Sequence, residues 1–162
     1  MNNKISYRTI YPSDYKLLTK IMTSAFNEDT SIHTNMKEDG PNGYNDGRLI
    51  KWLNEHENLK SFMIIYEDNI IGAYTVGIKQ NNEYSLEMLY IDPKYRGHNL
   101  GTIVWKDIEL KYEGGKKWTV ETPDYSTRNH YFYTKKCGFT FLKENISDNG
   151  SKSYIFKKEI LL

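Results

Sequence analysis

The sequence predicts an α+β protein: a mixed, mostly antiparallel sheet of about seven strands flanked by about four helices. Three observations carry this expectation. Short apolar runs recur between turn formers, as strands do. Two other stretches, 17–26 and 100–108, space their apolar residues three or four apart, as helices do. The strand-like runs of the middle third are joined by turns too short to hold a crossover helix, which makes them antiparallel neighbours.

Taken in order, residues 5–10 predict a first strand. Pro12-Ser-Asp14 is a helix start, followed by Leu17, Leu18, Ile21, Met22, Ala25 and Phe26 at helical spacing. From 27 to 47 the periodicity dissolves into polar residues around Gly40-Pro-Asn-Gly43, a stretch long enough to be a mobile or substrate-side loop. Residues 48–56 predict a second helix carrying Leu49, Ile50, Trp52 and Leu53. Strands follow at 61–67 and 70–78, joined at Asp68-Asn69, and at 84–92 after Gln80-Asn-Asn82. Leu100, Val104 and Ile108 mark a helix that ends at Gly114-Gly115. A strand at 118–122 stops at Pro123, a helix spans 126–136 and closes at Gly138, and 139–143 with 154–158 form a last hairpin around Asp148-Asn-Gly150. No repeat or linker interrupts the chain, so residues 1–162 are expected to be one domain.

Bulk composition narrows the function classes. Lys plus Arg is 22 and Asp plus Glu is 21, a formal charge of +1, without the basic excess of a nucleic-acid binder. Mean hydropathy is −0.72 while aromatics reach 14%, the profile of a soluble, tyrosine-rich globule. The single cysteine, Cys137, allows no internal disulfide and suits a reducing compartment. No apolar signal segment follows Met1, and the longest apolar run, 62–66, is too short for a bilayer, so a cytoplasmic location is expected. The four histidines have no partners at metal-ligand spacing, so no metal is expected. There is no Gly-x-Ser-x-Gly elbow and no Gly-Lys-Ser/Thr phosphate loop.

One segment carries chemistry. Residues 90–102 read as a strand stopped by Pro93, a turn through Gly97, and a helix opening near Gly101. A helix start exposes amides without intrahelical partners, and with the positive end of the helix dipole these suit a phosphate. Arg96 adds a planar, permanently charged donor. About thirty residues later comes Arg128-Asn-His-Tyr-Phe-Tyr-Thr-Lys-Lys-Cys-Gly-Phe139, with a strand between.

In that order and spacing, the two segments resemble the GNAT N-acetyltransferase superfamily. Its pyrophosphate loop, Arg/Gln-x-x-Gly-x-Gly/Ala, is matched by Arg96-Gly-His-Asn-Leu-Gly101, and its later Phe-Tyr-x-Lys-x-Gly-Phe by Phe132-Tyr-Thr-Lys-Lys-Cys-Gly-Phe139. The resemblance implies an acyltransferase that takes acetyl-CoA as cosubstrate and delivers the acetyl group to a primary amine. A non-catalytic acyl-CoA-binding sensor is the alternative. It implies a CoA site at Leu89, Tyr90, Ile91, Arg96, Gly97, His98, Asn99, Leu100, Gly101 and Thr102, with Ser126, Asn129 and Tyr133 from the later helix. Glu87 is implied as base, with Glu121 in reserve, and Tyr133 as the acid for the leaving thiolate. The acceptor is expected against Glu28, Tyr44, Trp52 and Glu121, in a setting acidic and aromatic enough for a cationic amine. Neither nucleic acid nor membrane is an expected partner, and homodimers are common in the family.

Two departures stand out. Asn99 occupies the loop's inner glycine position; asparagine is the non-glycine residue that best tolerates a positive φ. The later motif holds one extra residue, so counting back from Gly138 selects Thr134 for the tyrosine position and counting forward from Ser126 selects Tyr133. A one-residue bulge in the helix would reconcile the two counts.

Overall fold

The computed structural model describes residues 4–160. Among them are seven strands and four α-helices in the expected order. The strands hydrogen-bond in the order β1 (Ile5–Thr9), β2 (Leu59–Tyr66), β3 (Asn69–Ile78), β4 (Glu83–Ile91), β5 (Lys117–Pro123), β7 (Lys152–Glu159) and β6 (Thr140–Ile146), with the β4–β5 pair parallel. Backbone proximity divides the chain into two compact units. One holds the residues up to Gly77 together with Glu87–His98; the other holds Ile78–Leu86 and the chain from Asn99 onward.

The first unit begins with β1 (Ile5–Thr9), antiparallel to β2 (Leu59–Tyr66), which pairs antiparallel with β3 (Asn69–Ile78). Asp14 turns the chain from β1 into α1 (Tyr15–His33): its carboxylate takes two bonds from the Arg8 guanidinium, at 3.0 and 3.1 Å, and one from the Tyr11 amide. The Arg8 contact holds the Asp14 carboxyl below its ordinary range. Leu18, Ile21 and Met22 fall on one face of α1 and are buried with Ile50 and Leu53 of α2 (Arg48–Glu55), Met63 and Ala73. Each fully buried side chain of this size contributes about 1.5–3 kcal/mol.

The first helix runs seven residues beyond Phe26, where its apolar periodicity ends. Polar residues carry that extension. Thr30 is buried and donates to the Asp39 carbonyl, and His33 Nδ1 lies 3.1 Å from the Asp29 carboxylate one turn back. The segment 34–47 is therefore shorter than expected, and it is anchored. Tyr44 is buried, its hydroxyl donates to Asn27 Oδ1 at 2.7 Å, and its ring meets Phe26 edge-on. A Cβ on Gly40 would sit 2.7 Å from the Tyr44 ring, so only glycine fits there.

The β2–β3 hairpin turns at Glu67 and Asp68, both at positive φ, one residue earlier than expected. This is the left-handed pair a two-residue hairpin demands. Asn81 and Asn82 repeat it before β4 (Glu83–Ile91).

The second unit contains α3 (Leu100–Lys111), β5 (Lys117–Pro123), α4 (Thr127–Tyr131), and β6 (Thr140–Ile146) antiparallel to β7 (Lys152–Glu159). Its core is aromatic. Trp105 and Trp118 meet edge to face at 5.0 Å, Phe139 lies 5.1 Å from Trp105, and Tyr84 stacks on Trp118. β5 ends at Pro123 itself, one residue later than expected, with Pro123 in register with Ser153.

Candidate functional site

Residues 91–102 form the turn that joins the end of β4 to the start of α3. After β4, Asp92 donates its amide to the Ile71 carbonyl and accepts the Lys94 amide on its side chain, starting a single 3-10 turn at Pro93–Tyr95. Gly97 then takes φ 89° and Asn99 takes φ 59°, ψ 24°. Asparagine thus adopts the left-handed backbone that glycine would, at the position where the motif departs from its pattern. Asn99 is the N-cap of α3, its carbonyl accepting from Ile103, and its side chain makes no capping bond. The amides of Leu100, Gly101 and Thr102 occupy the first helical turn, where no intrahelical acceptor exists. Turns that pair right- and left-handed residues can gather backbone amides into an anion-binding concavity.

The two glycines of the motif serve different ends. A Cβ on Gly97 would meet nothing within 4 Å, so its glycine answers to φ alone. Gly101 has no left-handed backbone; a Cβ there would press to 3.2 Å against the Phe132 ring. It is a packing glycine that seats α3 on the residue before Tyr133.

The later helix changes its hydrogen-bonding step. Thr127–Tyr131 is α-helical and Phe132–Lys136 is a π-helical turn, closed by the Cys137 amide donating to the Phe132 carbonyl five residues back. The extra residue of the motif is absorbed there, as a one-residue bulge. Gly138 follows at φ 84° and the Phe139 amide donates to the Tyr133 carbonyl. Tyr133 is buried, with its ring edge-on to Phe132 and Phe139. The Thr134 hydroxyl is used locally, donating to the His130 carbonyl at 2.7 Å. Cys137 is buried and its thiol is pushed up to about 12 by that burial, far from a reactive thiolate. Its carbonyl accepts from Lys158 Nζ, which also pairs with Glu109 at 2.8 Å.

The remaining predicted residues are dispersed. Glu87 is exposed on β4, one residue past Leu86↔Val120, where the parallel β4–β5 register stops. Leu89 and Ile91 are half-buried. Tyr90 is buried in the first unit's core, which drives its phenol pKa upward, so its side chain serves packing. Arg96 donates to Glu28 of α1, joining a predicted phosphate ligand to a predicted acceptor residue. His98 is exposed, with Nδ1 3.0 Å from the Tyr95 carbonyl oxygen. Trp52 is exposed, its ring tilted against His56. Ser126 is fully buried ahead of α4, and Asn129 donates to Thr122 on β5. Glu121 is exposed, its Oε2 accepting from Asn145 at 3.0 Å and from Ser153.

Three supporting residues escaped the sequence reading. Gly72 on β3 lets the backbone at Tyr90 approach; a Cβ there would lie 2.0 Å from the Tyr90 carbonyl oxygen. A glycine inside a strand is the available signal for such an approach. Asn145 and Ser153 have no local signal, because only the register of β5, β7 and β6 brings them to Glu121.

An open mixed sheet with a strand-turn-helix between β4 and α3 is the architecture that the sequence resemblance implies. The comparisons agree. Residues 20–139 match the profile of the Acetyltransferase (GNAT) family. The chain belongs to the GNAT acetyltransferase family. A curated relative, the uncharacterized protein YrkN of Bacillus subtilis (strain 168), is 35% identical over 79 residues, 48% of this chain. The match spans 43% of that relative's length. Among solved structures, an acetyltransferase from Thermus thermophilus aligns with TM-score 0.76 at 14% identity, covering 97% of both chains. The PaiA N-acetyltransferase of Thermoplasma acidophilum, solved in complex with coenzyme A, aligns with TM-score 0.69 at 16% identity, over 96% of this chain and 99% of its own. No helix among the described residues is long and apolar enough to cross a membrane.

Proposed function

We propose that the protein is an N-acetyltransferase that moves the acetyl group of acetyl-CoA to a primary amine of a small molecule, peptide or protein. The observation that carries the reading is the loop of Gly97 and Asn99, whose two left-handed residues lead into the open amides of α3. Such a surface fits a pyrophosphate. Arg96 and the amides of Leu100, Gly101 and Thr102 would hold it, and His98 borders it. The main chain of Leu89, Tyr90 and Ile91 would direct amides at the thioester oxygen; one preorganised donor of this kind is typically worth about 3–4 kcal/mol of barrier.

Glu87 would take the proton of the amine, directly or through water, as its nitrogen bonds to the thioester carbon. Tyr133 would give its phenol proton to the sulfur as the C–S bond breaks, and recover one from solvent. Thr134 is the weaker candidate for that acid, because its hydroxyl already donates to a main-chain carbonyl. No covalent enzyme intermediate is needed, so Cys137 stays a packing residue. Ser126 and Asn129 would steady the helix that carries Tyr133. Glu28, Tyr44, Trp52 and Glu121 remain the proposed surroundings of the acceptor. On this reading the protein works in the cytoplasm as one domain.

Two measurements test it. Acetyl-CoA at a hundredfold excess over its dissociation constant should stabilise the protein by about 2.7 kcal/mol. An amine panel should then release free CoA thiol. Stabilisation without thiol release would leave an acyl-CoA-binding module, and no stabilisation by either CoA or acetyl-CoA would remove both readings.

A further inference from the structure

Arg96 ends the strand side of the anion-binding turn, yet its guanidinium is directed at an internal carboxylate. Its Nη2 donates to Glu28 Oε1, and the two residues lie 68 apart in sequence. Glu28 sits on the polar extension of α1, held in place by neighbours on both sides. The Tyr44 hydroxyl bonds Asn27, and the next turn is closed by Asp29 with His33. The carboxylate is thus presented from a fixed helix, whereas Arg96 follows a 3-10 turn and precedes a glycine. Both side chains keep solvent contact, 46% for Arg96 and 30% for Glu28, so the pair is of the weak, exchangeable kind.

A pyrophosphate at the Gly97–Thr102 amides would compete for the same guanidinium, and it would meet a carboxylate of like charge beside it. We infer that Glu28 is the resting partner of Arg96 and competes with the cofactor's pyrophosphate for it, so that Glu28 weakens CoA binding through Arg96. This rests on the acetyl-CoA reading above.

The test is calorimetric titration of the parent, Glu28→Gln, Arg96→Gln and the double variant with CoA and with S-acetylpantetheine, which lacks the pyrophosphate. Glu28→Gln should bind CoA about twofold to fivefold more tightly than the parent, the range of one exposed ion pair. It should leave S-acetylpantetheine binding unchanged. On the Arg96→Gln background the gain should vanish. Weaker CoA binding by Glu28→Gln would overturn the inference, since Glu28 would then be supporting Arg96. An equal gain on the Arg96→Gln background would also overturn it, because Glu28 would be acting on the phosphate directly. Failure of the parent to bind CoA would instead remove the cofactor reading itself.

Discussion

The chain departs from its family's pattern twice, and the two regions absorb the change by different physics. At Asn99 a residue is substituted, and the backbone keeps its path because asparagine tolerates φ 59°. At Phe132–Lys136 a residue is added, and no side chain can absorb that; the helix lengthens its hydrogen-bonding step to five. A substitution is accommodated within one residue. An insertion needs a supporting frame on both sides, here Tyr133 packed on Phe139 and the left-handed Gly138. The first region should therefore be easily reversed and the second should not.

The largest effect expected is on catalysis. Tyr133→Phe should lower turnover by about a hundredfold, with acetyl-CoA still giving its full thermal shift. Equal steady-state rates for variant and parent would detach the π-helical turn from the chemistry. Next comes stability. Gly138→Ala places a Cβ at φ 84° and should cost about 1–2 kcal/mol, seen as a fall in Tm of about 2–8 °C. Asn99→Ala should cost about 1 kcal/mol for the same reason, while Asn99→Gly should stay within about 0.5 kcal/mol of the parent in urea unfolding. If Asn99→Gly proved as damaging as Gly138→Ala, the contrast between the two regions would fail.

The smallest effects sharpen the contrast. Thr134→Val removes only a local bond to His130 and should leave turnover unchanged. A marked loss would return the general-acid role to Thr134. Cys137, with its thiol pushed up to about 12, holds almost no thiolate at neutral pH. Its alkylation should stay slow, rising about tenfold per pH unit from about pH 7 to 9 without levelling off, and become fast only on unfolding. Rapid labelling of any folded variant would report that the turn before Gly138 had opened.

Much of this was legible because it is local. The element order, the hairpin positions to within a residue, the strand-turn-helix at Pro93–Leu100 and the need for a bulge after Tyr133 follow from period, turn chemistry and motif spacing. The end of α1 was not legible, because Asp29, Thr30 and His33 are polar and their burial depends on partners formed only in the fold. The anchoring of Tyr44 on Asn27 and the Arg96–Glu28 pair were hidden for the same reason: the partners are distant in sequence, and no periodicity marks them. At Tyr90 the side chain is core, so the ligand contact that its motif position suggests is left to its main chain.

The aromatic core of the second unit has a spectroscopic consequence. Of the three tryptophans, Trp105 and Trp118 are each 1% exposed, and the Trp105 indole N–H has no hydrogen-bond partner among the described residues. Trp52, in the first unit, is 52% exposed. Emission from the buried pair belongs at short wavelength and that of Trp52 at long wavelength. An iodide quencher reaches the second and spares the first. Unlabelled fluorescence therefore carries two channels, one for each compact unit, and denaturation followed in both would show whether they melt together or in turn.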